Sequence, residues 1–115
     1  MITLNTLIAN GGATLTSKLN VSRIKTGYMV SLPNTEQIIP LEKLTQKALD
    51  YLIVQYKYIA EKGQYIGLWI DNNKMYADIS INIKDRAKAI ETGNDYKQLA
   101  IFDIVALDSI YMEGL

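Results

Sequence analysis

The sequence predicts an α+β fold with a largely antiparallel sheet of about six strands packed on one long helix, with two short helices. Three observations lead to this prediction: apolar residues at helical spacing over 41–62, alternating segments on both sides of that stretch, and 49% apolar residues in a chain of 115. Because this length suits one compact domain, residues 1–115 are interpreted as a single α+β domain.

The first half of the chain is predicted to hold a short helix, two strands and the long helix. Residues 3–10 place leucine and isoleucine at helical spacing, and the Asn-Gly-Gly that ends this stretch is typical of a helix terminus. The segments ATLT (13–16) and GYMVSL (27–32) resemble strands and are expected to pair as a hairpin with an irregular tip. The long helix covers 41–62, and its tyrosines are expected to flank the core with their hydroxyl groups at the edge.

The second half is predicted to form two hairpins separated by a helix of about two turns over 84–92. Residues 65–83, YIGLWIDNNKMYADISINI, alternate around the pair Asn72-Asn73, which can form a two-residue turn. This alternation predicts one apolar face made of Ile66, Leu68, Ile70, Met75, Ala77 and Ile79. The segments LAIFDI and SIYM are predicted to be the last strand pair.

The composition excludes many classes of function. The chain has no histidine and no cysteine, which removes Ser-His-Asp and Cys-His catalytic arrangements, disulfides, and metal sites built on these side chains. Twelve basic and twelve acidic residues give zero net charge, so neither nucleic acid nor a membrane is expected as a partner. With no membrane span and no secretory signal in the sequence, we expect a cytoplasmic protein without catalytic residues, cofactor or metal.

The other face of the 65–83 hairpin is the best candidate site. Trp69 and Tyr76 lie opposite each other across the predicted turn, with Tyr65 on the same face and Asp71 and Asp78 at the rim. Neighbouring aromatic side chains on an open sheet face can anchor a protein partner. Two other interpretations stay open at this point: the rings could serve only to stabilise the hairpin, or the helix over 84–92 could cover them.

Charged side chains give secondary predictions. Asp71 is expected to pair with Lys74 across the turn, and Asp78 is expected to point to solvent because it lies opposite Gly67. A segment that contains no acidic residue could contact phosphate groups or an acidic protein. This secondary charged patch consists of Lys18, Arg23 and Lys25.

The hairpin WIDNNKMYADIS (69–80), followed by QLAIFD (98–103), resembles a pattern found in small uncharacterised proteins of phages and integrative elements of Gram-positive bacteria. In those proteins the hairpin has the pattern W-h-D-N-x-K-h-Y-h-D-h-S, in which h is an apolar residue. A short helix and a strand with the pattern Q-x-A-I-W-D follow it. The present chain departs from it in having Phe102 in place of Trp and Asn73 in place of Gly. The resemblance implies a mobile-element origin and carries over no catalytic residue.

Three functional hypotheses follow. The first is a non-catalytic binding protein of a phage or mobile element that inhibits a host defence component, such as a CRISPR nuclease, by protein–protein contact in the host cytoplasm. The second is an oligomer, a homodimer for example, that sequesters a small ligand such as a nucleotide between tyrosine side chains. The third is an enzyme that uses carboxylates for acid–base chemistry.

Overall fold

The computed structural model of the protein describes residues 1–112, which contain three α-helices and seven β-strands. In chain order these are α1 (Leu4–Asn10), β1 (Gly12–Thr16), β2 (Tyr28–Ser31), β3 (Gln37–Pro40), α2 (Gln46–Ile59), β4 (Tyr65–Asp71), β5 (Lys74–Ile83), α3 (Arg86–Asp95), β6 (Ala100–Asp103) and β7 (Asp108–Tyr111). The strands form one antiparallel sheet in the order β1-β4-β5-β2-β6-β7, with β3 also paired to β5. The predicted α+β class is confirmed, with seven strands in place of about six.

The seventh strand, β3, occupies sequence just before the predicted long helix. A single helix over 41–62 is wrong, because Leu41–Lys43 forms one turn of 3-10 helix and α2 covers only Gln46–Ile59. The hydroxyl of Thr45 caps α2 by accepting a hydrogen bond from the amide of Ala48 at 3.1 Å. Apolar spacing does not distinguish a separate 3-10 turn from the first turn of a longer helix, so the sequence pattern merged the two.

The chain divides into two compact units, of which the first contains Met1–Ser22 and Glu36–Ile79. In this unit β1 pairs with β4, so the predicted hairpin between β1 and β2 is wrong. After β1 the chain turns back immediately, and Thr16 and Thr14 form backbone hydrogen bonds of 2.7 Å with Asn20 and Ser22. These bonds occupy the edge of β1 at which β2 was expected.

The core of the first unit contains five of the six residues of the apolar face predicted for the β4–β5 hairpin, and the sixth, Ile70, is half-buried. Ile66, Leu68, Met75, Ala77 and Ile79 are all buried, as are Leu49, Leu52, Ile53 and Tyr56 of α2. The Tyr56 hydroxyl donates a hydrogen bond to the Ala77 carbonyl at 3.1 Å, which fixes α2 to β5 at that point. This contact joins α2 to one strand. That the whole sheet packs on one helix stays a prediction.

Two of the three tyrosines of α2 lie where they were not expected. Tyr56 is buried with its hydroxyl bonded, but Tyr51 and Tyr58 are 67% and 85% exposed instead of flanking the core. The reason is the helical period: residues 52, 53 and 56 face inward, which directs residues 51 and 58 outward.

The second unit contains Arg23–Thr35 and the chain from Ser80 onward. Here β2 pairs with the later part of β5 and with β6, and β6 pairs with β7 as predicted. The predicted helix over 84–92 is observed as α3, which starts after Asp85, whose carboxylate accepts a hydrogen bond from the Lys88 amide at 2.8 Å. The core consists of Val30, Ala89, Ile101 and Met112. The assignment of the chain to a single domain stays a prediction.

Candidate functional site

The turn between β4 and β5 brings the candidate aromatic residues together. Asn72 and Asn73 have φ of 49° and 60°, the left-handed conformation that a type I′ turn requires at both central positions. Asparagine adopts this conformation more readily than other residues with a side chain. The two strands therefore leave the turn as a tight hairpin, which supports the two-residue turn predicted from the sequence.

Trp69 and Tyr76 form a parallel stack on this hairpin. Their ring centroids are 5.4 Å apart and their planes differ by 8°. The Trp69 side chain is 37% exposed, and Tyr76 is half-buried. Such a pair adds stability to the hairpin and at the same time presents a rigid apolar surface, so the structural and the binding interpretations are compatible.

Ile38 enlarges this surface. β3 pairs with β5 so that Ile38 is the partner of Tyr76, and paired residues of antiparallel strands point to the same face. Ile38 is 50% exposed. We call Trp69, Tyr76 and Ile38 together the aromatic surface. The sequence pattern missed Ile38 because β3 was not predicted; the alternation in QIIP is too short to identify a strand.

The two glycines beside Trp69 allow close approach of the strands. A Cβ atom on Gly12, the register partner of Trp69, would lie 2.7 Å from the Leu68 carbonyl oxygen and 3.3 Å from the Trp69 Cβ. On Gly67 a Cβ would lie 2.8 Å from Oδ1 of Asp78 and 3.9 Å from Cζ3 of Trp69. The indole ring and the carboxylate therefore fill space that any larger side chain would take.

Asp78 does not lie at a solvent-exposed rim. Its exposure is only 4%, so the prediction that it points to solvent is wrong. The carboxylate occupies the space that a side chain at position 67 would fill, since a Cβ atom on Gly67 would lie 2.8 Å from Oδ1 of Asp78. Its negative charge also acts on Tyr56: burial raises the pKa of Tyr56 to about 12, and Asp78 adds to the increase, with a smaller lowering by Gln37.

The other predicted site residues have simpler surroundings. Tyr65 is half-buried at the start of β4, on the pleat face of Trp69, and Asp71 is exposed at the turn. The residues of the secondary charged patch are all exposed, Lys18 in the turn after β1 and the other two on the segment before β2. Lys18 belongs to the first unit and Arg23 and Lys25 to the second. A common patch of these three stays a prediction.

Helix α3, which the sequence left open as a cover for the aromatic residues, packs within the core of the second unit. Ala89 and Ile90 of α3 pack with Val30 and Ile101 in the second unit, together with Ile81 of β5. Ile81 and Tyr76 have opposite parity along β5, so they belong to opposite faces of the strand. Trp69 is 37% exposed and Ile38 is 50% exposed.

A separate cleft of about 480 Å³ lies beside α1 and β1 in the first unit. Its lining includes Ile2, Leu15 and Val21, with Asn10 and Asn20 as polar groups. The lining contains no tyrosine and no charged side chain. It thus lacks the aromatic side chains on which a nucleotide base would stack.

Within residues 1–112, no three acidic side chains are grouped closely enough to hold a metal ion. Over the same residues, no helix has the length and apolar character needed to cross a bilayer. Comparison with protein-family models, with curated proteins and with solved structures gives no match.

Proposed function

We propose that the chain is a non-catalytic binding protein and that its aromatic surface contacts a protein partner. The observation that supports this most directly is the stacked Trp69–Tyr76 pair, which is fixed on a tight hairpin and yet leaves the indole 37% exposed. Interface hot spots are enriched in tryptophan and tyrosine, and a rigid pair loses little conformational entropy when a partner binds.

A protein fits this surface better than a nucleic acid. One face of the indole is already occupied by the phenol ring of Tyr76, so a base cannot stack there. The hairpin carries Asp71 and Asp78 with only Lys74 as a cation, and a phosphate backbone requires several cations. Ile38 adds aliphatic area of the kind that complements apolar side chains.

The resemblance of WIDNNKMYADIS to hairpins of phage and mobile-element proteins supports a more specific form of the proposal. In that form the partner is a component of host defence, such as a CRISPR nuclease, and the chain acts in the host cytoplasm by occupying a surface of it. The small size, the zero net charge and the absence of histidine and cysteine suit a protein that acts by contact alone.

Native mass spectrometry of the untagged protein, recovered from a bacterial host lysate, tests this proposal. We expect a stoichiometric protein adduct that is retained by wild-type protein and by Tyr111→Ala, and is lost with Trp69→Ala. Tyr111 is a matched control because it is aromatic and 75% exposed but lies on β7, in the other unit. An adduct of small mass on an oligomer would instead support ligand sequestration.

A further inference from the structure

The outward face of α2 carries an apolar stripe that the packing of the first unit does not use. Tyr51, Val54 and Tyr58 follow one another at steps of three and four residues, the spacing of neighbours on one helix face. They are 67%, 36% and 85% exposed. The buried residues of α2 lie on the opposite side of the helix, so this stripe, the α2 stripe, faces away from the core.

The α2 stripe is complementary to the α2 stripe of a second copy that runs in the opposite direction. Tyr51 and Tyr58 lie three and four residues from Val54, on opposite sides. In an antiparallel pair of helices related by a two-fold axis near Val54, each Tyr51 would meet the Tyr58 of the second copy. At 1.5 Å per residue the two tyrosines are separated by about 10 Å along the axis, so both contacts can form at once.

Two charges beside the stripe also have opposite signs. Asp50 and Lys57 lie four and three residues from Val54, on opposite sides of it along α2. The two-fold arrangement therefore brings Asp50 of each copy towards Lys57 of the other.

From this self-complementarity we infer that the α2 stripe is the interface of a homodimer in which two copies of α2 pack antiparallel. A surface selected for an unrelated protein has no reason to be symmetric about its own centre in both shape and charge, whereas an isologous interface must be. This inference is independent of the function proposed for the aromatic surface. If both hold, the dimer presents two aromatic surfaces and can bind a partner bivalently.

Sedimentation equilibrium of the purified full chain, over a series of protein concentrations, tests the inference. We expect wild-type protein to fit a monomer–dimer equilibrium and Tyr58→Lys to raise the dimer Kd by about 30-fold, the effect of removing a hot-spot side chain. Tyr111→Lys, which places the same change at a similarly exposed tyrosine outside the stripe, should leave Kd unchanged. Far-UV circular dichroism of each variant verifies that it is folded.

A charge exchange tests the antiparallel arrangement. Lys57→Glu should weaken the dimer several-fold because it would face Asp50 of the second copy, and adding Asp50→Lys to it should restore the wild-type Kd. Wild-type protein that remains monomeric at the highest concentration would overturn the inference. So would a dimer whose Kd does not change with Tyr58→Lys, or a double variant that dimerises no more tightly than Lys57→Glu alone.

Discussion

The indole of Trp69 stacks on the phenol ring of Tyr76 across the hairpin, with 5.4 Å between centroids and 8° between planes. The pair links the two strands on the side of the sheet opposite the buried apolar face of the hairpin. Because the Trp69 ring lies outside the core, removing it leaves no core cavity. Its effect on binding can therefore be measured in a protein that is still folded.

Trp69→Ala should lower the free energy of unfolding by about 2 kcal/mol, because it removes both the stacking on Tyr76 and the buried part of a partly exposed ring. Urea denaturation followed by far-UV circular dichroism measures this change. Tyr111→Ala, at an exposed and unstacked ring, should stay within about 0.5 kcal/mol of wild type. A loss above about 3 kcal/mol for Trp69→Ala would mean that the ring serves mainly to hold the fold.

Asn73→Gly should stabilise the hairpin. Asn73 has φ of 60°, which glycine adopts without the steric cost that a Cβ atom brings, and Asn-Gly is the preferred pair for a type I′ turn. We expect a gain of about 0.5 kcal/mol with glycine and a loss of about 1 kcal/mol with alanine, from thermal unfolding. Equal stability of the two variants would show that the turn conformation does not control the hairpin.

Gly67→Ala should destabilise the fold by about 1–3 kcal/mol, because its Cβ would lie 2.8 Å from Oδ1 of the buried Asp78. Gly12→Ala should cost more, since the obstacle at 2.7 Å is the backbone carbonyl of Leu68, which cannot rotate away. Chemical denaturation of the two variants in parallel gives the order. The reverse order would contradict the close approach of β1 and β4.

Stability should fall between about pH 10 and pH 12 through ionisation of Tyr56. Its pKa is raised from 10.0 to about 12, so the folded protein keeps the proton where the unfolded chain releases it. The stabilisation is complete below pH 10 and is lost as the pH rises to 12, which lowers the free energy of unfolding by up to about 3 kcal/mol. Tyr56→Phe cannot ionise, so the stability difference between wild type and this variant should shrink over that range; a constant difference would contradict the assignment.

The amount of structure that the sequence could predict differs from element to element. The 65–83 hairpin was predicted with its turn and its buried face because strict alternation and a pair of turn-forming asparagines specify both. β3 was missed because four residues ending in proline carry too little pattern. The pairing of β1 with β4 cannot be predicted for another reason. Strand partners that are distant in the chain leave no local signal, so the sequence favours pairing of adjacent strands.

The candidate site was predicted only in part, for similar reasons. The Trp69–Tyr76 pair follows from the register of a two-residue turn, so the sequence alone brought these rings together. The burial of Asp78 depends on a space above Gly67 that no linear pattern describes. Ile38 joins the aromatic surface through a strand that was not predicted, and the exposure of Tyr51 and Tyr58 depends on which side of α2 meets the sheet.

Isothermal titration calorimetry of the purified partner with wild type, Trp69→Ala, Ile38→Ala and Tyr111→Ala tests the central claim most directly. If the aromatic surface is the binding site, Trp69→Ala should weaken binding by at least about 2 kcal/mol, near 30-fold in Kd, Ile38→Ala by about 1 kcal/mol, and Tyr111→Ala should have no effect. Wild-type affinity for a correctly folded Trp69→Ala would contradict the claim and place the binding site elsewhere on the protein.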